Sequence, residues 1–85
     1  MKNIKIAVIG LGYVGLPVSV VLSKKYSVIG YDINKDRVKD INMFNDSTLE
    51  ISSEDLAKSL EYNLAITSKI SDIKDCNIYI ITVPT

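Results

Sequence analysis

Gly10, Gly12 and Gly15 are spaced as G-x-G-x-x-G within Gly10-Leu11-Gly12-Tyr13-Val14-Gly15, and Asp32 follows 22 residues after Gly10 (32 − 10). Such a set can recognise a phosphorylated dinucleotide. The first glycine makes a tight turn, the second lets a pyrophosphate approach the backbone, and the third lets a helix pack closely on a strand. Each job depends on a missing Cβ. Free N–H groups at a helix start favour negative charge without any lysine. A carboxylate at position 32 accepts hydrogen bonds from a ribose 2′-hydroxyl and repels a 2′-phosphate, so the expected cofactor is NAD rather than NADP. Arg37 leaves three roles open: stacking on adenine, contacting the ribose, or lying ligand-free on a helix surface. Tyr13 is either a loop contact or a cover for the helix start.

These residues need a strand before the loop and a helix after it. Ile4 to Ile9 is short, apolar and branched, and stops at glycine, as a strand buried on both faces does. From Tyr13 to Lys25 the spacing of Val14, Val18, Val21 and Leu22 predicts a helix with these residues on one inward face. Pro17 is tolerated in its first turn, where its missing N–H would have had no partner. Ser27 to Tyr31 reads as a second strand, and Asn34 as the N-cap of a helix carrying Val38 and Ile41 inward. Phe44 to Ile51 reads as a loop. Ser52 with Asp55 opens a short helix presenting Leu56 and Leu60. Leu64 to Thr67 is a short third strand, a polar turn passes through Ser71 and Asp72, and Asn77 to Val83 is the strand with the strongest pattern, ended by Pro84.

Strand-helix alternation predicts the α/β class: a Rossmann-type three-layer αβα architecture, truncated, with a mostly parallel sheet in the order 3-2-1-4 and helices on both faces. No repeat or linker marks an internal domain boundary. Ligands of open α/β sheets bind beyond the carboxyl ends of the strands. Gly10, Asp32 and Val83-Pro84-Thr85 all follow such ends, and strands one and four are neighbours. All three groups should therefore border one crevice.

Composition restricts the function further. Ten basic and ten acidic residues cancel, so the electrostatic footprint of a nucleic-acid or anionic-membrane binder is missing. A single cysteine and no histidine exclude an intrachain disulfide framework and a multi-cysteine zinc site, and fit a reducing cytosol. Cys76 precedes the fourth strand, at the amino edge of the sheet, and reads as structural. Lys2 and Lys5 before the apolar run Ile6 to Leu22 superficially suggest a signal peptide. Gly10, Gly12, Gly15 and Pro17 interrupt that run, and it falls short of the roughly 20 residues of a membrane span. A cytoplasmic location is expected, with neither nucleic acid nor membrane as partner. Glu50, Glu54 and Asp55 read as solvated or helix-capping carboxylates.

Three segments carry a family resemblance: Ile6-Ala-Val-Ile-Gly-Leu-Gly-Tyr-Val-Gly-Leu-Pro17, Tyr31-Asp-Ile-Asn34 with Arg37, and Thr82-Val-Pro-Thr85. Together they resemble the start of the UDP-glucose/GDP-mannose dehydrogenase family. Ser47-Thr-Leu-Glu50 is more similar to the UDP-N-acetylhexosamine dehydrogenases of bacterial surface-polysaccharide synthesis. The resemblance implies oxidation of a nucleotide sugar's C6 alcohol to a carboxylate, with reduction of two NAD. In that family a cysteine captures the intermediate aldehyde, and water cleaves the thioester formed after the second oxidation. None of those catalytic positions falls within these residues, which implies a segment inactive alone; no metal is expected in it, given one cysteine and no histidine.

By motif position Gly10 to Gly15, Asp32, Arg37 and Thr85 take over the family's cofactor contacts, with Val83 and Pro84 beside them. The family's longer chains carry a second half-Rossmann repeat, a long dimer-forming helix and a UDP-binding domain. A UDP-sugar partner and a homodimer are therefore implied for the full length only. Ser19 departs from the alanine common in related chains, and both residues are small. The glycines and the acid alone also fit a non-catalytic NAD-sensing Rossmann module, such as regulators of ion transport. Gly-Tyr-Val-Gly and Val-Pro-Thr favour the dehydrogenase.

Overall fold

The computed structural model describes residues 4–46 and 50–82. Along the chain run β1 (Lys5–Ile9), α1 (Gly15–Leu22), β2 (Ser27–Tyr31), α2 (Lys35–Asn42), α3 (Ser53–Tyr62), β3 (Leu64–Thr67), a 3-10 turn (Ile70–Ile73) and β4 (Ile78–Ile81). The strands form one sheet in the order β3-β2-β1-β4, and every pairing is parallel. This is the expected Rossmann-type order.

Register decides which side chains share a face. Ile6 lies opposite Val28 and Ile78, and Val28 opposite Leu64. Ile6, Val8, Val28, Leu64 and Ile66 therefore point one way and meet Leu16, Val20, Val38, Ile41 and Leu56 from the three α-helices. Fully burying a leucine or isoleucine such as Leu16, Ile41 or Leu56 contributes about 2 kcal/mol each. On the opposite face, Ala7 packs with Ile73 and Cys76, flanked by Ile9, Ile29 and Tyr31.

Helices were expected on both faces, and the described residues show all three α-helices on one face with the 3-10 turn as the second outer layer. The handedness of the connections explains this. β1 to β2 and β2 to β3 step in the same direction across the sheet, so right-handed crossovers put α1, α2 and α3 on one side. β3 to β4 steps back past β2 and β1, which sends its connection over the other side.

Two boundaries differ from expectation. α1 ends at Leu22, three residues before Lys25, and Ser23 closes it by donating from Oγ to the Val20 carbonyl at 2.7 Å. Its inward face is Gly15, Leu16, Ser19 and Val20, whereas Val14 and Val21 are exposed and Val18 is half-buried. Because this helix is apolar nearly all round, valine spacing could not choose the face. The choice falls to the small residues Gly15, Ser19 and Ser23, one turn apart, which let the helix lie close to the sheet. β4 is also shorter than Asn77 to Val83, and Val83 to Thr85 lie outside the described residues. α2 matches its expectation: Asn34 Oδ1 accepts from the N–H groups of Asp36 and Arg37 at 3.0 and 3.1 Å, and Val38 and Ile41 are buried. α3 matches too, with Ser52 Oγ accepting from Asp55 N–H at 3.2 Å.

Candidate active site: the cofactor loop

The loop after β1 is held by its neighbours on both sides. The Gly10 N–H donates to the Tyr31 carbonyl at 2.8 Å, and the Thr82 N–H donates to the Ile9 carbonyl at 2.8 Å, so the turn is anchored to β2 and to the end of β4. Gly10 has φ +99°, a left-handed conformation natural to glycine, and a Cβ there would overlap the Thr82 carbonyl oxygen. A Cβ on Gly15 would overlap the Gly10 carbonyl oxygen and crowd the Thr82 hydroxyl. That hydroxyl donates to the Gly10 carbonyl at 2.7 Å.

The middle of the loop is the opposite case. Among the described residues, a Cβ on Gly12 would meet no atom within 4 Å. Tyr13 and Val14 beside it are 70% and 61% exposed, so Tyr13 belongs to the open loop and does not cover the helix start. α1 begins here with Val14 as its N-cap residue and no side-chain cap, whereas Asn34 and Ser52 cap α2 and α3. An uncapped helix start beside open space, next to a glycine backbone, suits a diphosphate.

Asp32 stands directly beyond β2. Its Oδ2 accepts from the Leu11 N–H at 2.9 Å and its Oδ1 from the Asn34 N–H at 2.9 Å. A carboxylate oxygen has two acceptor sites, so both oxygens keep capacity for ribose hydroxyls while the backbone holds them in place. The adjacent Ile33 is 81% exposed, an apolar side chain facing solvent at the same edge.

Arg37 does not lie free on a helix surface. Its Nε donates to the Leu11 carbonyl at 2.8 Å, and its Nη2 pairs with Asp46 Oδ1 at 3.0 Å. The side chain of Asp46 is fully buried, and its Oδ2 accepts from the N–H groups of Glu50 and Ile51 at 3.0 and 2.9 Å. Leu11 is thus gripped at both backbone polar groups, its N–H by Asp32 and its C=O by Arg37.

A model of the UDP-glucose/GDP-mannose dehydrogenase family, NAD binding domain, matches residues 4–85. The chain belongs to that family. It is 46% identical over its whole length to the UDP-N-acetyl-D-glucosamine 6-dehydrogenase of Pseudomonas aeruginosa, and 50% identical to the enzyme of that name from Salmonella typhi. In both cases it spans only 20% of the relative. Among solved structures, a UDP-D-ManNAc dehydrogenase from Pyrococcus horikoshii superposes with a TM-score of 0.89 at 36% identity, covering 94% of this chain and 20% of that one. A GDP-mannose dehydrogenase from Pseudomonas aeruginosa, solved as a ternary complex, superposes with a TM-score of 0.84 at 27% identity, covering 94% and 19%. Residues 4–85 therefore belong to the NAD-binding domain of this dehydrogenase family.

Within that domain, the residues singled out by sequence sort into three groups. Gly10, Gly12, Gly15, Tyr13, Val14, Asp32 and Arg37 come together at the carboxyl edge of the sheet. The Leu11 side chain is fully buried and packs over Gly30, where a Cβ would come within 2.8 Å of Leu11 Cδ2 and 2.9 Å of Ile66 Cδ1. Only its backbone belongs to the loop. Val83, Pro84 and Thr85, and Ser47 to Leu49 of the subfamily signature, lie outside the described residues.

Sequence reasoning missed Gly30, Thr82, Ile33 and Asp46 as parts of the site. Glycine inside a strand signals close approach of another group, so Gly30 was detectable. Asp46 follows Phe44, which has φ +63°, in an irregular loop, and nothing periodic marks it. Cys76 is buried under the opposite face, and burial pushes its thiol pKa up, with Lys5 opposing and Asp75 adding to the shift. That favours the protonated thiol, an inert form. Among the described residues no group of His, Cys, Asp and Glu side chains could hold a metal ion, and no helix is long and apolar enough to cross a membrane.

Proposed function

We propose that this chain supplies the NAD site of a UDP-N-acetylhexosamine 6-dehydrogenase, which oxidises the sugar's C6 alcohol to a carboxylate while reducing two NAD. The observation that carries the reading is the open Gly12 backbone at the uncapped start of α1, with the Asp32 carboxylate held beside it. Bound NAD supplies a hydride acceptor. In the chain itself, the backbone from Gly10 to Gly15 receives the pyrophosphate, Asp32 binds the adenosine ribose, and exposed Ile33 offers an apolar face to adenine. Arg37 borders this site as a fixed cation, and Val83, Pro84 and Thr85 are counted with the cofactor contacts by motif position alone. The relatives named above support the choice of an N-acetylated UDP-sugar.

The chain spans about a fifth of those relatives, and in this reading the sugar site, the catalytic cysteine and the dimer contacts lie outside these residues. The full protein is a cytoplasmic homodimer in this reading. The test is NADH formation by the full-length protein with UDP-N-acetylglucosamine, UDP-N-acetylmannosamine, UDP-glucose or GDP-mannose. Turnover with one of the N-acetylated sugars and NAD is expected. NAD binding without oxidation of any of them would sink the substrate assignment and leave the cofactor site standing.

A further inference from the structure

We propose that Asp46 is a specificity-determining residue, which excludes NADP by committing the Arg37 guanidinium to the protein interior. The inference rests on the NAD reading of the glycine loop. An arginine near the ribose acid is the usual means by which a Rossmann site accommodates a 2′-phosphate. Here such an arginine is present, and it bonds the same residue as the ribose acid: Asp32 takes the Leu11 N–H and Arg37 the Leu11 carbonyl. Its charge nevertheless has a buried destination. The Asp46 side chain is fully buried, that of Arg37 is 11% exposed, and the two meet at 3.0 Å.

Asp46 is itself fixed, because its second oxygen accepts from the Glu50 and Ile51 N–H groups. The guanidinium therefore cannot turn to a new anion without stripping a buried carboxylate of its partner, a costly change. The formal charges of Asp32, Arg37 and Asp46 also sum to one negative charge, which opposes a phosphate on the ribose. A neutral residue at position 46 changes both conditions. The arginine is released, and the sum over these three side chains falls to zero.

The test measures dissociation constants of NAD and NADP for the full-length protein by calorimetric titration, and reads their ratio. Asp46→Asn is expected to shift the ratio towards NADP by about tenfold, and the shift should shrink as salt is raised. Asp46→Ser removes the charge with a smaller polar side chain, and gives the same reading should the asparagine variant fail to fold. Adding Arg37→Gln to either variant should return the ratio towards that of the unaltered protein, since no cation is left to release. A residue that merely braced the loop would weaken both cofactors equally. An unchanged ratio in a folded Asp46 variant therefore overturns the proposal, and unaltered protein that binds neither cofactor removes the NAD reading along with it.

Discussion

At one end of the glycine loop, a Cβ on Gly15 would overlap the Gly10 carbonyl oxygen; in its middle, a Cβ on Gly12 would meet none of the described residues within 4 Å. The two residues belong to one motif, yet they are glycine for unrelated reasons. Gly10 and Gly15 are required by the protein's own packing, with Thr82 filling the space between them. Gly12 is required by nothing among the described residues, so its open surroundings point to a ligand. The closed part of the motif is a matter of stability and the open part a matter of binding.

Substitutions can separate the two. Gly15→Ala should be the most damaging, lowering unfolding free energy by at least about 3 kcal/mol, because backbone rather than a flexible side chain stands in the way. Urea denaturation would show it, and an unshifted midpoint would mean that the closed end has room to spare. Gly12→Ala should leave that midpoint within about 1 kcal/mol of the unaltered protein while NAD affinity in calorimetric titration falls by about a hundredfold, or 2.7 kcal/mol. Equal NAD affinity would remove the reason for calling this part of the loop open to ligand.

Asp32→Asn lies between the two regions, since it weakens the hold on Leu11 and removes the charged ribose acceptor. NAD affinity should fall about tenfold and stability by about 1 to 2 kcal/mol; a loss confined to stability would reduce Asp32 to a loop brace. Thr82→Val should cost about 1 kcal/mol through the lost bond to the Gly10 carbonyl, with NAD affinity following only as far as the loop loosens. The smallest effect belongs to Cys76, far from both. Its pKa is raised in the fold, so its contribution to stability is complete below a thiol's ordinary pKa and is lost as pH rises through the folded value. Stability of the unaltered protein should therefore decline more steeply in alkali than that of Cys76→Ala, with NAD binding at neutral pH the same in both.

Much of this site was legible before any coordinates. Gly10, Gly12, Gly15 and Asp32 could be assigned because each does something another residue type does badly, and their spacing matches one strand, one turn and one helix. Parallel pairing and the order β3-β2-β1-β4 followed from the alternation of short apolar runs with helical ones. The inward face of α1 was misread because valines surround the helix, and hydrophobicity without contrast gives no direction. The place of Leu11 between two glycines does not show where its side chain goes; Gly30, on the neighbouring strand, makes the space that takes it inward.

What the sequence by itself determined is the local chemistry: where a Cβ must be missing, where a helix start must be free, and where a carboxylate must stand. Those requirements act over a few residues and leave a mark at fixed spacing. Only the tertiary structure decided which face of α1 is buried, that all three α-helices share one side of the sheet, and that Arg37 turns to a buried Asp46. Crossover handedness and close packing set these features, and they join residues whose separation along the chain carries no periodic signal.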